Sequence, residues 1–312
     1  MFMIKKITFL LTFTIYSIVA TAQYNSSVEE LINNRDIIQK NKIDTIEITE
    51  TQTNKGKKPI LEAKGVYTFD EKGNKANHWD YCTDRGTCDT VPAKETTFKY
   101  NTNNSLVDIT TKYIPSNTIF NQQWQYVYKE GKAIEEKYKD TETEEWSKKL
   151  FTYDSKGRLV KEKIPIAAPN YDEFNYYYST KGNLDSIVHK TNVGKETQAF
   201  MYDAGGNKIK TYFKYQGKKI GGNSLNGEEF EYYPDKKLKS KITTGYTAIT
   251  KEEYKYTNGN LTEIRKLEKS KLTKADFKLE STTILKYNDS GLLFSVREEF
   301  LTETIETVVS YK

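Results

Sequence analysis

The chain has 312 residues and carries 48 Lys and Arg against 43 Asp and Glu, a formal net charge of +5 at pH 7. That near balance, with no polybasic run, gives no case for a nucleic-acid partner. With only 2 His and 2 Cys against 24 Tyr, little of the sequence is available for imidazole or thiol chemistry.

Residues 1–22 read as a secretory signal peptide. Lys5 and Lys6 form the positive region, Ile7 to Ala20 the apolar region, and Ala20-Thr21-Ala22 the small-residue cleavage site. The apolar run is too short for a membrane anchor. The expected mature chain is a single domain over 23–312 without an integral membrane segment, periplasmic or extracellular. Ser27-Val28-Glu29-Glu30 matches a capping box, and Val28, Leu31, Ile32 and Ile38 come after it at mostly helical spacing. A short helix over 27–40 is expected to cap the first edge of a sheet. Ile46 and Ile48 alternate and open the first strand.

From residue 60 to the end the chain repeats. An aromatic anchor precedes a polar turn nine times, at Phe69, Tyr100, Tyr128, Tyr153, Tyr178, Tyr202, Tyr232, Tyr256 and Tyr287. Spacings of about 24–31 residues mark a repeat array. With the anchor numbered 0, position −2 is aromatic in every copy except Leu285, and alternate strand positions share a face. In Tyr153-Asp154-Ser155-Lys156-Gly157-Arg158-Leu159 the Asp and Gly suit a type I turn followed by a left-handed residue. That turn pairs position 0 with +6: Leu106, Ile134, Leu159, Leu184, Leu238 and Leu293. A shorter turn pairs Tyr256 with Leu261. Each repeat is then a β-hairpin with one aromatic–aliphatic face. The expected fold is all-β: about nine antiparallel hairpins in one extended, twisted or curled sheet, with the short N-terminal helix.

The same turn geometry brings Cys82 and Cys88 to a non-hydrogen-bonded pair within disulfide range. A structural disulfide is expected in an exported chain. A metal site of His78, Cys82 and Cys88 is the alternative, without a fourth ligand or a recognised spacing. His78 and His189 lie about 38 Å apart if hairpins stack linearly, so they share no site unless the sheet closes. The turn carboxylates Asp70, Asp154 and Asp203 stand singly, which suits turn backbone rather than calcium. Glu142, Glu144 and Glu145 near Trp146 read as a solvated loop. No catalytic residue and no cofactor is expected. A transmembrane barrel is rejected because Lys94 and Thr96 share the face of Phe98 and Tyr100.

A binding surface is expected on the other face, where −1 is taken to oppose +7. In the middle repeats these positions turn apolar: Val127, Val160, Tyr177, and Met201 with Ile209, and Trp146 at −7 has the same parity. Such a patch marks either a partner site or second core, with Trp146 and Tyr177 as anchors.

The string Tyr153 to Leu159 resembles the YD repeat of RHS-type proteins. Tyr202-Asp203-Ala204-Gly205-Gly206-Asn207 and Phe69-Asp70-Glu71-Lys72-Gly73-Asn74 are looser copies, and degenerate matches cover most of 60–300. The resemblance implies hairpins in a long winding sheet, with carbohydrate binding proposed for the family. This array is shorter and more widely spaced, and no shell-closing core or toxin tail comes after it. The functional expectation is a non-enzymatic exported protein binding a protein or glycan at the cell surface or in the envelope. The alternative is a structural or protective periplasmic component, such as a toxin-immunity or envelope-complex partner. An enzyme of unknown type ranks third.

Overall fold

The computed structural model describes residues 28–29, 31–82, 88–141, 146–165, 171–191, 194–216, 227–245, 247–272 and 276–312. The strands are β1 Thr45–Asn54, β2 Ile60–Phe69, β3 Lys75–Asp80, β4 Lys94–Tyr100, β5 Leu106–Tyr113, β6 Thr118–Lys129 and β7 Lys132–Asp140. They continue with β8 Ser147–Tyr153, β9 Leu159–Pro165, β10 Tyr171–Tyr178, β11 Leu184–Lys190, β12 Lys195–Tyr202, β13 Lys208–Gln216 and β14 Gly227–Tyr232. The last are β15 Leu238–Thr244, β16 Ala248–Thr257, β17 Asn260–Ser270, β18 Lys278–Tyr287, β19 Leu293–Phe300 and β20 Glu303–Tyr311. Helix α1 spans Arg35–Lys40, and residues 28–29 and 31–33 before it are also helical.

The nine anchors each lie at the last or next-to-last position of the first strand of a hairpin, from β2–β3 at Phe69 to β18–β19 at Tyr287. At the Tyr153 turn, Asp154 N donates to Arg158 O at 2.9 Å, Gly157 N donates to Asp154 O at 2.9 Å, and Gly157 has φ 78°. The Asp154 carboxylate accepts from the amides of Lys156 and Arg158, each at 2.9 Å, which satisfies the turn backbone. Tyr153 faces Leu159 as the turn chemistry requires, but Thr152 faces Lys161. Val160 is therefore the extra residue of a β-bulge. The same shift recurs at Tyr100, Tyr178, Tyr202, Tyr232 and Tyr287. Position −1 thus opposes +8, not +7, and Met201 faces Lys210 rather than Ile209. At Tyr128 a tighter turn, with positive φ at both Glu130 and Gly131, pairs the anchor with Ala133 rather than Ile134. Tyr256 does pair with Leu261.

The sheet is a closed antiparallel barrel of 20 strands, not an extended or curled array of nine hairpins. Every strand pairs with its sequence neighbours. β1, which precedes the hairpins, pairs with β20, which comes after them, from Ile46↔Tyr311 to Asn54↔Glu303. Closure removes both unpaired edges, the liability an open array would keep.

One face of the wall is consistently the less exposed. Along β6, Gln122, Trp124, Tyr126 and Tyr128 are half-buried while Gln123, Gln125, Val127 and Lys129 are exposed. The anchors and the −2 rings share this face. Val28, Leu31, Ile32 and Ile38 form one apolar cluster with residues from seven consecutive strands, β16 to β20, β1 and β2, including Ile264, Leu285, Val296, Val309, Ile46 and Phe69. Seven flat strands span about 29 Å, and a helix is about 10–12 Å wide. Only a concave wall gathers them round it, so this face is the inner one.

The N-terminal segment is not one helix over 27–40 capping an edge. Ser27 and Glu30 lie outside the described residues, residues 31–33 are helical, and the helix breaks at Asn34. The Asn34 side chain accepts from Ile37 N at 3.1 Å and starts α1, the competition with backbone that makes Asn a capping residue. With β1 paired on both sides there is no edge to cap, and the segment packs on the inner wall. Cys82 and Cys88 form the expected disulfide, with Cα atoms 4.0 Å apart. Residues 1–22 and the cluster Glu142, Glu144 and Glu145 lie outside the described residues.

Candidate functional site

The outer wall is ionic. Glu173 is held by Lys161 at 2.8 Å and Lys190 at 3.4 Å, and the Lys161 hydrogen bond brings its carboxyl down to about 2. Arg265 and Lys251 both reach Glu253, and Lys99 reaches Asp108. These pairs interrupt any apolar band on the outside. No helix among the described residues is long and apolar enough to cross a membrane, which says nothing of strands.

The inner wall is aromatic, and a hydrogen bond explains why most anchors are Tyr. Tyr153 Oη donates to Ala133 O at 2.9 Å, Tyr178 Oη to Leu159 O at 2.9 Å, Tyr202 Oη to Leu184 O at 2.9 Å and Tyr232 Oη to Lys208 O at 2.8 Å. In each case the acceptor is the residue that faces the anchor of the preceding hairpin. The phenol thus ties one repeat to the last. Cations sit over rings of the same face, with Arg158 4.3 Å from the centroid of the anchor Tyr178 and Lys208 4.6 Å from that of Phe230 at −2. Position 0 is therefore a structural device, and function is better sought elsewhere on the wall.

A candidate site lies two steps deeper. Trp124, at −4, faces Tyr138, with ring centroids 5.2 Å apart and planes tilted by 51°. The pair opens into a groove of about 400 Å³ that Gln122, Glu136, Ser147, Lys149 and Ile164 also line. Gln122 Nε2 donates to Tyr138 Oη at 3.1 Å, and Tyr138 Oη donates to Asp140 at 3.2 Å. Burial pushes the Tyr138 phenol up. Lys149 and Glu136 lie 3.9 Å apart. Two aromatic faces beside an amide, a hydroxyl, carboxylates and an ammonium suit a polyhydroxylated ring: the rings stack on its C–H face while the polar tips take its hydroxyls.

Further round the wall, Phe174 stacks on His189 at 4.2 Å and 5°. The Nε2 of His189 is buried 3.6 Å from Asp172, beyond hydrogen-bond reach. His78 stacks on Tyr67 at 4.0 Å, and burial lowers its imidazole to about 4. The two histidines occupy β3 and β11, eight strands apart one way and twelve the other, and share no site. No group of three or more possible metal-ligating side chains occurs among the described residues, and both cysteines of the alternative metal site are in the disulfide.

The residues singled out on the other face are dispersed. Val127, Tyr177 and Met201 are exposed on the outer wall, but each faces a polar residue, Glu135, Ser186 and Lys210 in turn, and none of the three is level with another. Val160 and Ile209 are the bulged residues. Trp146 precedes β8, six residues or about 20 Å along the strand from Thr152, so the structure does not bring it to Tyr177. The sequence does not single out Trp124, Tyr138 and His189 as a site. Parity alone places Trp124 on the anchor face.

No family model matches the chain, and no curated protein matches it. Among solved structures, TcdB2-TccC3-Cdc42 is similar over 81% of this chain and 14% of that one, at 14% identity and a TM-score of 0.43. TcdB2-TccC3-TEV is similar over the same shares at 13% identity and a TM-score of 0.40. A porin-like protein from Bacteroides uniformis is similar over 86% of this chain and 98% of that one, at 9% identity and a TM-score of 0.34. The chain thus spans only 14% of the TcdB2-TccC3 chains. Scores of this size carry no argument about activity. The RHS-type resemblance rests on the turn motif, which the structure places at hairpin turns.

Proposed function

We propose that this is an exported, non-enzymatic barrel that binds a glycan on its aromatic inner wall. The observation that carries the reading is the Trp124–Tyr138 pair, whose rings stand beside polar tips in an inner groove. The signal-like residues 1–22 and the disulfide support export. A second reading, a protein partner of the envelope on the outer wall, rests on the individually exposed Val127, Tyr177 and Met201.

The test is calorimetric titration of the whole barrel with soluble oligosaccharides. Trp124→Ala is expected to abolish heat uptake while Tyr177→Ser leaves it unchanged. Binding that survives Trp124→Ala would refute the inner-wall site. Loss of protein capture with Tyr177→Ser alone would favour the outer reading.

A further inference from the structure

We propose that the Trp124–Tyr138 groove is one end of a longer inner-wall channel that ends at the Phe174–His189 stack and takes a linear oligosaccharide free of anionic groups. The inference rests on the glycan reading above and adds the length and charge of the ligand.

The channel is a diagonal row of inner-face neighbours. Trp124 faces Tyr138, and Tyr138 faces Ser147. One same-face step along β8 is Lys149, which shares the groove with Ile164 of β9. Ile164 faces Asp172, and one step along β10 is Phe174, which faces His189. From β6 to β11 the row crosses five strand spacings, roughly 24 Å, about the length of four to five linked sugar rings. Aromatic platforms stand at both ends, and the middle is polar except for Ile164. That order suits a linear chain lying across the strands.

Charge selects the class. Lys149 is matched by Glu136. Glu162 lies beside the row, facing Phe174, and accepts from Tyr176 Oη at 2.7 Å. Asp172 stands at the His189 end. Among the described residues neither Glu162 nor Asp172 is ion-paired to a lysine or arginine. A uronate or sulfated sugar would bring its charge against these carboxylates in a half-buried wall, where like-charge repulsion is poorly screened. The lysine-rich exterior is separated from them by the thickness of the sheet.

The experiment is a calorimetric series on the full chain. The probes are β-1,4-linked glucose oligomers of two and five units and galacturonate oligomers of the same lengths. The expected result is at least tenfold tighter binding of the neutral pentamer than of the dimer, and at least tenfold weaker binding of the galacturonate pentamer. Phe174→Ala should erase the gain with length and leave dimer binding intact. Asp172→Asn removes the charge at that end and should narrow the gap between the two pentamers by raising galacturonate affinity. Equal affinity for neutral dimer and pentamer, or for neutral and uronate pentamers, overturns this inference while leaving the glycan reading in place. No binding of any oligomer overturns both.

Discussion

Two sectors of the barrel use the same hairpin in different ways. In the covered sector, β16–β20 with β1 and β2, the inner face packs against the N-terminal helical segment, and Ile38, Ile46 and Val296 are all but inaccessible. In the bare sector, β6 to β14, the same positions carry half-buried rings, and no apolar residue among those described there joins the main cluster. There the repeats are tied by tyrosine hydroxyls donating to carbonyls opposite the preceding anchor and by cations lying over rings. One sector is a core, and the other is a wall with accessible aromatic faces. A repeat that needs no covering layer can leave its rings free for a ligand.

The largest test of that division is a core truncation. Ile46→Ala should destabilise the barrel by about 2–4 kcal/mol, since its cavity cannot collapse. Phe200→Ala in the bare sector should cost less than half as much, because its ring already meets solvent. Denaturant midpoints decide this, and equal losses would show that the bare wall is also core.

Turn glycines give a finer version. Gly182 has φ 91° and open space around it, whereas a Cβ on Gly73 (φ 75°) would stand 2.6 Å from the Arg35 carbonyl. Gly182→Ala should cost about 1 kcal/mol of left-handed strain, and Gly73→Ala roughly twice that, because α1 must shift. A similar small drop in melting temperature for both would put the helix elsewhere.

Tyr153→Phe and Tyr202→Phe should each cost about 1 kcal/mol, the net worth of the phenol–carbonyl bond. Phe69 anchors the covered sector without a hydroxyl, which fits packing taking over there.

The smallest effect is pH-dependent. Burial raises the carboxyl of Glu298, which accepts from Ser281 Oγ at 2.9 Å, and raises that of Glu50 nearby. A carboxyl raised on folding contributes most below its unfolded value and loses that contribution as pH rises through the folded one. Glu298→Gln should therefore raise the melting temperature at pH 7 and have no effect at pH 4. A variant less stable than the parent at pH 7 would mean the charge is compensated.

The local structure was legible in the residues. Asp154 and Gly157 specify their turn because one accepts two backbone amides and the other takes a left-handed φ at no steric cost, so Tyr153 had to meet Leu159. The spacing of Cys82 and Cys88 made their disulfide legible too, although residues 83–87 between them lie outside the described residues. The bulge at Val160 was not legible, since a one-residue slip past the closing pair leaves no mark in the pattern beyond the turn. It moved position +7 out of register and dispersed the outer patch. Trp124 lay on the anchor face by parity, yet its partner Tyr138 is set by the tighter Glu130-Gly131 turn. Whether the ends of the array met was a tertiary matter. Nothing in Ile46 or Tyr311 says they pair, because the pairing depends on the accumulated twist and stagger of the strands between them and on the two edges that closure satisfies. That closure gives the wall an inside, and having an inside is what makes the tyrosine face a candidate site.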